Sequence, residues 1–407
     1  MSEQLVFDGR YSWTRLAVTL AIAAIGNVGM WSVIVIMPAV QTEFGVSRAD
    51  SSLPYTLTML GFGLGNLLIG RAVDRFGITT ALIGASLLSG AGYLAASVSS
   101  SILTLAIVHF AIGLGSAACF GPLIADISLW FQRKRGIAVA VAASGNYLSG
   151  AIWPMVLAGV LAENGWRAVC VVLAVIVTVL LIPMALLLRR RVPEASLTAA
   201  ASISLGNRAA SGLSPRALAW LLGLAGIGCC VAMSMPQVHI VALCIDRGFG
   251  PVAGVEMLSL MLLGGVASRL ISGLIADQLG GVLTLLIGSV LQMLALFLYL
   301  PAGGIVSLYV VSLVFGLAQG GIVPAYALIV REYMPAREAG SRVGFVIMAT
   351  ILGMALGGWM SGWIHDLTGS YQLAFLNGIG WNALNIAIML FILIRTMRPR
   401  RSIAAAA

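Results

Sequence analysis

The octapeptide GRAVDRFG at residues 70–77 returns as GLIADQLG at residues 273–280, with a glycine at each end and the aspartate kept between them. The offset, 273 − 70 = 203, is about half of a chain of 407 residues. It also relates Gly113 to Gly316 and the aromatic Trp130 to Tyr333. A period this long means two like halves rather than a stack of short repeats.

Around these loops the chain is apolar. Hydrophobic residues make up 60% of it and charged ones 9%, with a mean hydropathy of +1.03; a water-soluble domain carries about 25% charged residues. Twelve apolar stretches stand at about 14–40, 52–70, 78–98, 102–129, 137–161, 168–188, 217–244, 252–275, 282–300, 304–330, 341–364 and 371–394. Each suits the roughly 20 residues of a helical membrane crossing. They are too long and continuous for the alternating strands of a barrel, and lipid admits no other backbone than these two. The first stretch exceeds a signal-peptide core and is expected to remain as a helix. The expectation is an all-α membrane protein: twelve transmembrane helices in two six-helix bundles, related by a parallel pseudo-twofold repeat. The Ala- and Ser-rich stretch near the middle divides residues 1–190 from residues 216–407, with 191–215 as a linker and a basic tail at the end.

The net charge of +9 is spread in small groups, not in the single stripe that nucleic acid requires. Arg71 and Arg75, then Arg133, Lys134 and Arg135, then Arg189 to Arg191, then Arg331, Arg337 and Arg342, and finally Arg395 to Arg401 fall in alternate loops and the tail. The opposite loops hold Arg48, Arg167 and Arg247. The positive-inside rule then puts both termini in the cytoplasm of a multi-pass protein, expected in a bacterial inner membrane among lipid partners. Cys119, Cys170, Cys229, Cys230 and Cys244 lie in apolar segments without metal-ligand spacing and read as inert core thiols. The sequence contains no Walker A motif, nucleophile elbow or HExxH, so no nucleotide, cofactor, metal or enzyme chemistry is expected.

The 70–77 loop and its echo resemble the G-x-x-x-D-R-x-G signature of the major facilitator superfamily, and the resemblance covers the whole chain. It implies that Asp74, Arg71 and Arg75 form a cytoplasmic ion-pair gate. Asp126 is expected to partner Arg75, and Asp277 repeats Asp74 in the second half. His109 stands where many drug exporters of the superfamily carry Arg, and the fifth helix reads SGNYLSGAIWP (Ser144–Pro154) without their antiporter pattern. A drug or metabolite exporter is therefore the alternative reading.

The clearest charge inside a span is Arg269, in GGVASRLISG. A charge there is costly unless it meets a cavity or a partner. Glu256, the acid on the same helix, is thirteen residues away, about 20 Å at 1.5 Å per residue. An anionic substrate is the expected counter-ion, the other reading being that Arg269 reaches the inner headgroups. The repeat mate, 269 − 203 = 66, is Asn66, so only one half carries the cation. An eighth-helix arginine resembles the monocarboxylate transporter and oxalate/formate antiporter branch. The resemblance implies a small organic anion held also by aromatic side chains, with Tyr147 and Tyr326 at comparable places and Asn27, Trp31 and Tyr55 completing the wall. The oxalate antiporters add a lysine on the eleventh helix, whereas here Ile351, Leu352 and Met354 fill its middle. One cation suits a monocarboxylate. His109, His239 and Glu256 are the candidates for proton coupling, with exchange against a counter-anion as the other route.

Overall fold

The computed structural model describes residues 7–46, 50, 53–191, 213–335 and 338–397. Arg48, Arg337, the linker between 191 and 213 and the tail beyond Met397 lie outside these residues. The helices are α1 (Arg10–Gly26), α2 (Val28–Phe44), α3 (Leu53–Phe76), α4 (Ile78–Ser97), α5 (Ile102–Ser116), α6 (Gly121–Ile127), α7 (Arg135–Leu187), α8 (Pro215–Asp246), α9 (Gly250–Tyr299), α10 (Ile305–Gln319), α11 (Ile322–Tyr333), α12 (Ala339–Thr368) and α13 (Gln372–Met397). In lipid these apolar runs are helical because only intra-helix bonds satisfy their backbone. At two N-termini a serine caps the free N–H groups: the Ser101 hydroxyl accepts from Thr104 N at 3.2 Å, and the Ser214 hydroxyl accepts from Ala217 N at 3.1 Å.

Eleven stretches among the described residues are long and apolar enough to cross a membrane. One of them, Glu256–Tyr299, turns at Gly280 (φ 79°, ψ 168°) and makes two crossings, which brings the total to twelve. Similarly, α7 turns at Gly165 and supplies the fifth and sixth spans. Three spans that read as continuous apolar stretches are interrupted. The first is α1 and α2 meeting at Asn27, the fourth is α5 and α6 joined by a 3₁₀ turn at Ala117–Cys119, and the tenth is α10 and α11 meeting at Gly320 and Gly321. Apolarity continues across each break, so hydropathy alone does not mark it.

The repeat is visible in the backbone. Gly77 takes φ 85° and ψ 162°, close to its mate Gly280, a conformation that costs a glycine nothing. A Cβ on Gly113 would stand 2.0 Å from the Thr58 carbonyl oxygen, and one on Gly316 would stand 2.2 Å from that of Met261. Since 261 − 58 is again 203, the second and fourth spans meet as the eighth and tenth do, through glycines that let backbones touch.

The halves meet along two seams, α3 against α12 and the first arm of α7 against the first arm of α9. A Cβ on Gly70 would lie 2.4 Å from Gly340 O, and one on Gly273 would lie 2.6 Å from Ala140 Cβ. The hydrogen bonds that join the halves run from mid-span toward the two octapeptide loops. Large apolar side chains such as Val98, Leu103, Trp220 and Val306 are exposed on the outside, where lipid receives them.

Candidate functional site

Arg269 projects from α9 between the two halves and is 2% exposed. The interruption after Gln319 leaves carbonyls at the end of α10 without helical partners, and Arg269 Nε donates to one of them, Gly320 O, at 3.0 Å. Its Nη1 donates across the seam to Ala143 O on α7. The Tyr147 ring covers the guanidinium, with its centroid 3.5 Å from Cζ. Among the described residues, ion pairs join Arg15 to Asp126, Arg167 to Glu43, Arg342 to Glu338 and His365 to Asp246, and Arg269 forms none. A full positive charge is thus held by carbonyl dipoles and a ring face, which offset only part of its desolvation.

Tyr147 is the one expected aromatic that the structure brings to Arg269. Its hydroxyl donates to Gln319 Oε1 at 3.1 Å, tying α7 to α10. Its ring packs against Gly265, where a Cβ would come within 2.5 Å of Cε2. Gln319 is a partner that the sequence reading missed. The signal was present in GLAQGG (Gly316–Gly321), a lone amide in an apolar span beside two glycines. The mate of Arg269 does a related task with neutral chemistry: Asn66 Oδ1 accepts from Gly121 N at 3.0 Å, at the interruption of the fourth span.

The other wall candidates have different partners. Tyr326 is fully buried and donates to Asn385 Oδ1 on α13 at 2.9 Å, so it serves the packing of the second half. Asn27 Nδ2 donates to Ala23 O at 2.7 Å and to Cys119 O at 3.0 Å, stitching the break in the first span to that in the fourth. Trp31 Nε1 donates to Asn146 O and Oδ1, both at 3.1 Å, which sets it beside the residue before Tyr147. Tyr55 is half-buried near the start of α3 with no hydrogen bond among the described residues.

The octapeptide aspartates bind backbone rather than arginine. Asp74 accepts from Gly340 N at 3.0 Å and from Ser341 N at 2.9 Å, at the start of α12. Asp277 accepts from Gly136 N at 2.5 Å and from Ile137 N at 3.1 Å, at the start of α7. Each carboxylate therefore meets a helix N-terminus of the opposite half, where free N–H groups and the helix dipole favour negative charge. The expected lock with Arg71 and Arg75 is not formed: both are exposed, and Arg75 lies 5.2 Å from the Phe76 ring centroid. Asp126 is likewise corrected. It takes a two-pronged bond from Arg15, Nε to Oδ2 at 2.9 Å and Nη2 to Oδ1 at 3.0 Å, and leaves Arg75 aside. Arg15 also donates to Leu188 O at 3.0 Å and lies 4.6 Å from the Trp130 ring centroid.

The coupling candidates stand apart from one another. His109 is fully buried, with Nδ1 2.8 Å from Leu105 O and no partner for Nε2. His239 Nε2 donates to Gly358 O at 2.8 Å and contacts Tyr371. Glu256 is exposed and accepts from the Tyr309 hydroxyl. Outside the spans, hydrogen bonds from Arg167 and Trp166 hold the Glu43 carboxyl below the usual carboxylate range.

Comparison with known proteins gives a consistent picture. The family model described as Major Facilitator Superfamily matches residues 19–340 and 257–407. Human monocarboxylate transporter 11 is 25% identical over 390 residues, covering 91% of this chain and 80% of that protein. Monocarboxylate transporter 13 of Bos taurus is 25% identical over 315 residues, covering 76% of this chain and 72% of that one. The crystal structure of the human organic anion transporter MFSD10 shares the fold, with a TM-score of 0.72 at 16% identity over 94% of this chain and 99% of that one.

Proposed function

Because this chain belongs to the major facilitator superfamily, whose members are membrane transporters and not enzymes, we propose that it carries a small organic anion, specifically a monocarboxylate. The two halves would alternate access to a mid-span site. The observation that carries the reading is Arg269, buried between the halves without a carboxylate. A substrate carboxylate offers that guanidinium the full opposite charge and the two-oxygen geometry that backbone carbonyls lack. The names of the two monocarboxylate transporters support the same class.

The lack of a cation in the middle of α12 narrows the class to one carboxylate. Arg342 on α12 is bound to Glu338, with bonds of 3.0 and 2.8 Å, and Ile351, Leu352 and Met354 occupy the middle of that helix. A second negative charge would be desolvated without a partner, at a cost of several kcal/mol. In this reading Asp74 and Asp277 close the cytoplasmic side, both termini are cytoplasmic, and residues 1–190 and 216–407 rock about the 191–215 linker. Transport is coupled to protons or to a counter-anion rather than sodium, since among the described residues no group of buried carboxylates offers a cation hard oxygen ligands. The placement in a bacterial inner membrane belongs to the same proposal.

Uptake of a labelled monoacid into proteoliposomes, under imposed pH and sodium gradients, tests the reading. Activity that disappears in Arg269→Ala and is competed by monoacids supports it. Strict sodium dependence, or displacement by oxalate far better than by lactate or pyruvate, overturns it.

A further inference from the structure

Gln319 is fully buried beside Arg269, and half of its amide is idle. Oε1 takes the Tyr147 hydroxyl at 3.1 Å, while Nε2 has no hydrogen-bond partner. A buried amide donor without an acceptor opposes folding, and such groups in native structures ask for an explanation. Here the surroundings supply one. Tyr147 fills a slot with three walls: the bare backbone of Gly265, which has no Cβ to block it, the guanidinium of Arg269, and the Gln319 amide. Its ring lies on the charge and its hydroxyl reaches the amide.

We propose that Gln319 is the specificity-determining residue of the transporter, distinguishing a monocarboxylate that bears a hydroxyl or oxo group near its carboxylate from a plain alkyl acid. The inference rests on the reading of Arg269 as the carboxylate site. In the bound state the substrate takes the slot from Tyr147, with its carboxylate on Arg269 and its substituent on Gln319. A hydroxyl donates to Oε1 in place of Tyr147 and accepts from Nε2, so both amide atoms are satisfied. An oxo group accepts from Nε2 alone. An alkyl chain satisfies neither and leaves Oε1 without the bond it had in the empty carrier. The expected order of affinity is hydroxy above oxo above alkyl.

The test is direct binding of propionate, 2-hydroxypropionate and 2-oxopropionate, which have the same chain length and are all ionised at pH 7.5, to the purified full-length protein and to Gln319→Leu, Tyr147→Phe and Arg269→Ala. The ligand-free melting temperature of each variant is measured alongside to establish that it folds. In the unmodified protein the hydroxy acid is expected to bind about 30-fold more tightly than propionate, the worth of two hydrogen bonds. Gln319→Leu should bring that ratio close to one. Tyr147→Phe, which keeps the ring but removes its tie to the amide, should strengthen all three acids and preserve the order; it serves as the second arm if the leucine variant fails to fold. An unchanged ratio in Gln319→Leu, or a loss of order in Tyr147→Phe, overturns the inference while Arg269→Ala still shows the anion site to be real. Undiminished binding of all three acids by Arg269→Ala instead overturns the reading beneath it.

Discussion

Two arginines, one in each half, are each 2% exposed, and they are satisfied by opposite means. Arg15 of the first half has its own carboxylate, Asp126, in a two-pronged pair closed at 2.8 Å. Arg269 of the second half has two backbone carbonyls and the face of Tyr147. A buried charge with a built-in counter-charge is finished as a piece of scaffold, whereas one held by dipoles retains most of its capacity to bind an anion. Burial alone therefore does not mark a candidate site, and the proposal for Arg269 rests on the missing charge partner.

The contrast is most severely tested at Arg15. Arg15→Ala would leave Asp126 charged and buried, and is expected to cost about 3–5 kcal/mol of stability. Replacing both, as Arg15→Met with Asp126→Leu, should restore most of it. Thermal unfolding in detergent measures each, and an Arg15→Ala variant as stable as the parent would show the pair to be idle. At Arg269 the expected effect lies in binding. Arg269→Ala should lower substrate affinity by about 30-fold or more, the cost of leaving one member of a buried charged contact alone. Its thermal midpoint should move less than that of Arg15→Ala. Arg269→Lys should keep part of the affinity, because the charge survives but the fork does not.

The aspartates of the two octapeptides invert the comparison, because there the halves match. Asp74→Asn and Asp277→Asn each exchange a charged acceptor for a neutral one, a change of about 1 kcal/mol, or roughly fivefold in the closed-to-open ratio. The two effects should be equal. The readout is thiol labelling at Ile351→Cys, in the seam where a Cβ on Gly63 would sit 3.5 Å from the Ile351 side chain; the native cysteines are all buried and give little background. A large effect at one aspartate and none at the other would break the equivalence. The smallest expected effect is at Glu43, held below its usual range by Arg167 and Trp166. A depressed folded-state value means that its contribution is complete above the unfolded value, about 4.3, and is lost as pH falls. Both partners are about 40% exposed, so water and salt screen the pair, and Glu43→Gln should flatten the acid limb of the melting-temperature profile only slightly.

The register of the two halves was legible in the sequence because it is written in glycine, where a positive φ or a carbonyl lying against Cα admits no other residue. Gly77 with Gly280 and Gly113 with Gly316 are marks of that kind. Arg269 and Tyr147 were legible for a related reason, since a charge or a phenol inside an apolar run has few uses. The partner of Asp126 was not. Arg15 lies 111 residues away near the chain's beginning, where arginine reads as a topology signal, and a long-range pair leaves no local pattern. Gln319 was overlooked because one amide in a span is weak evidence until the ring bonded to it is known. The bond from Tyr326 to Asn385 was not legible either, because an aromatic in sequence does not show which polar group its hydroxyl meets.

The aspartate contacts between the halves have one more consequence, which concerns how this protein can change over evolutionary time. Each carboxylate is received by main-chain amides, and a main-chain amide is supplied by every residue except proline. At Ile137 the side chain contributes nothing to the donation, so this position can change without altering the clasp, whereas the Ser341 hydroxyl adds its own stabilisation of the Asp74 carboxylate and ties that position to serine. Gly340 and Gly136 are not free, since a Cβ would come within 2.5 Å of the Asp74 carboxylate in the first and 2.4 Å of Gly273 O in the second. Mutational tolerance should therefore rise sharply from Gly136 to Ile137 and less sharply from Gly340 to Ser341, so the two halves should drift at different rates around the same clasp.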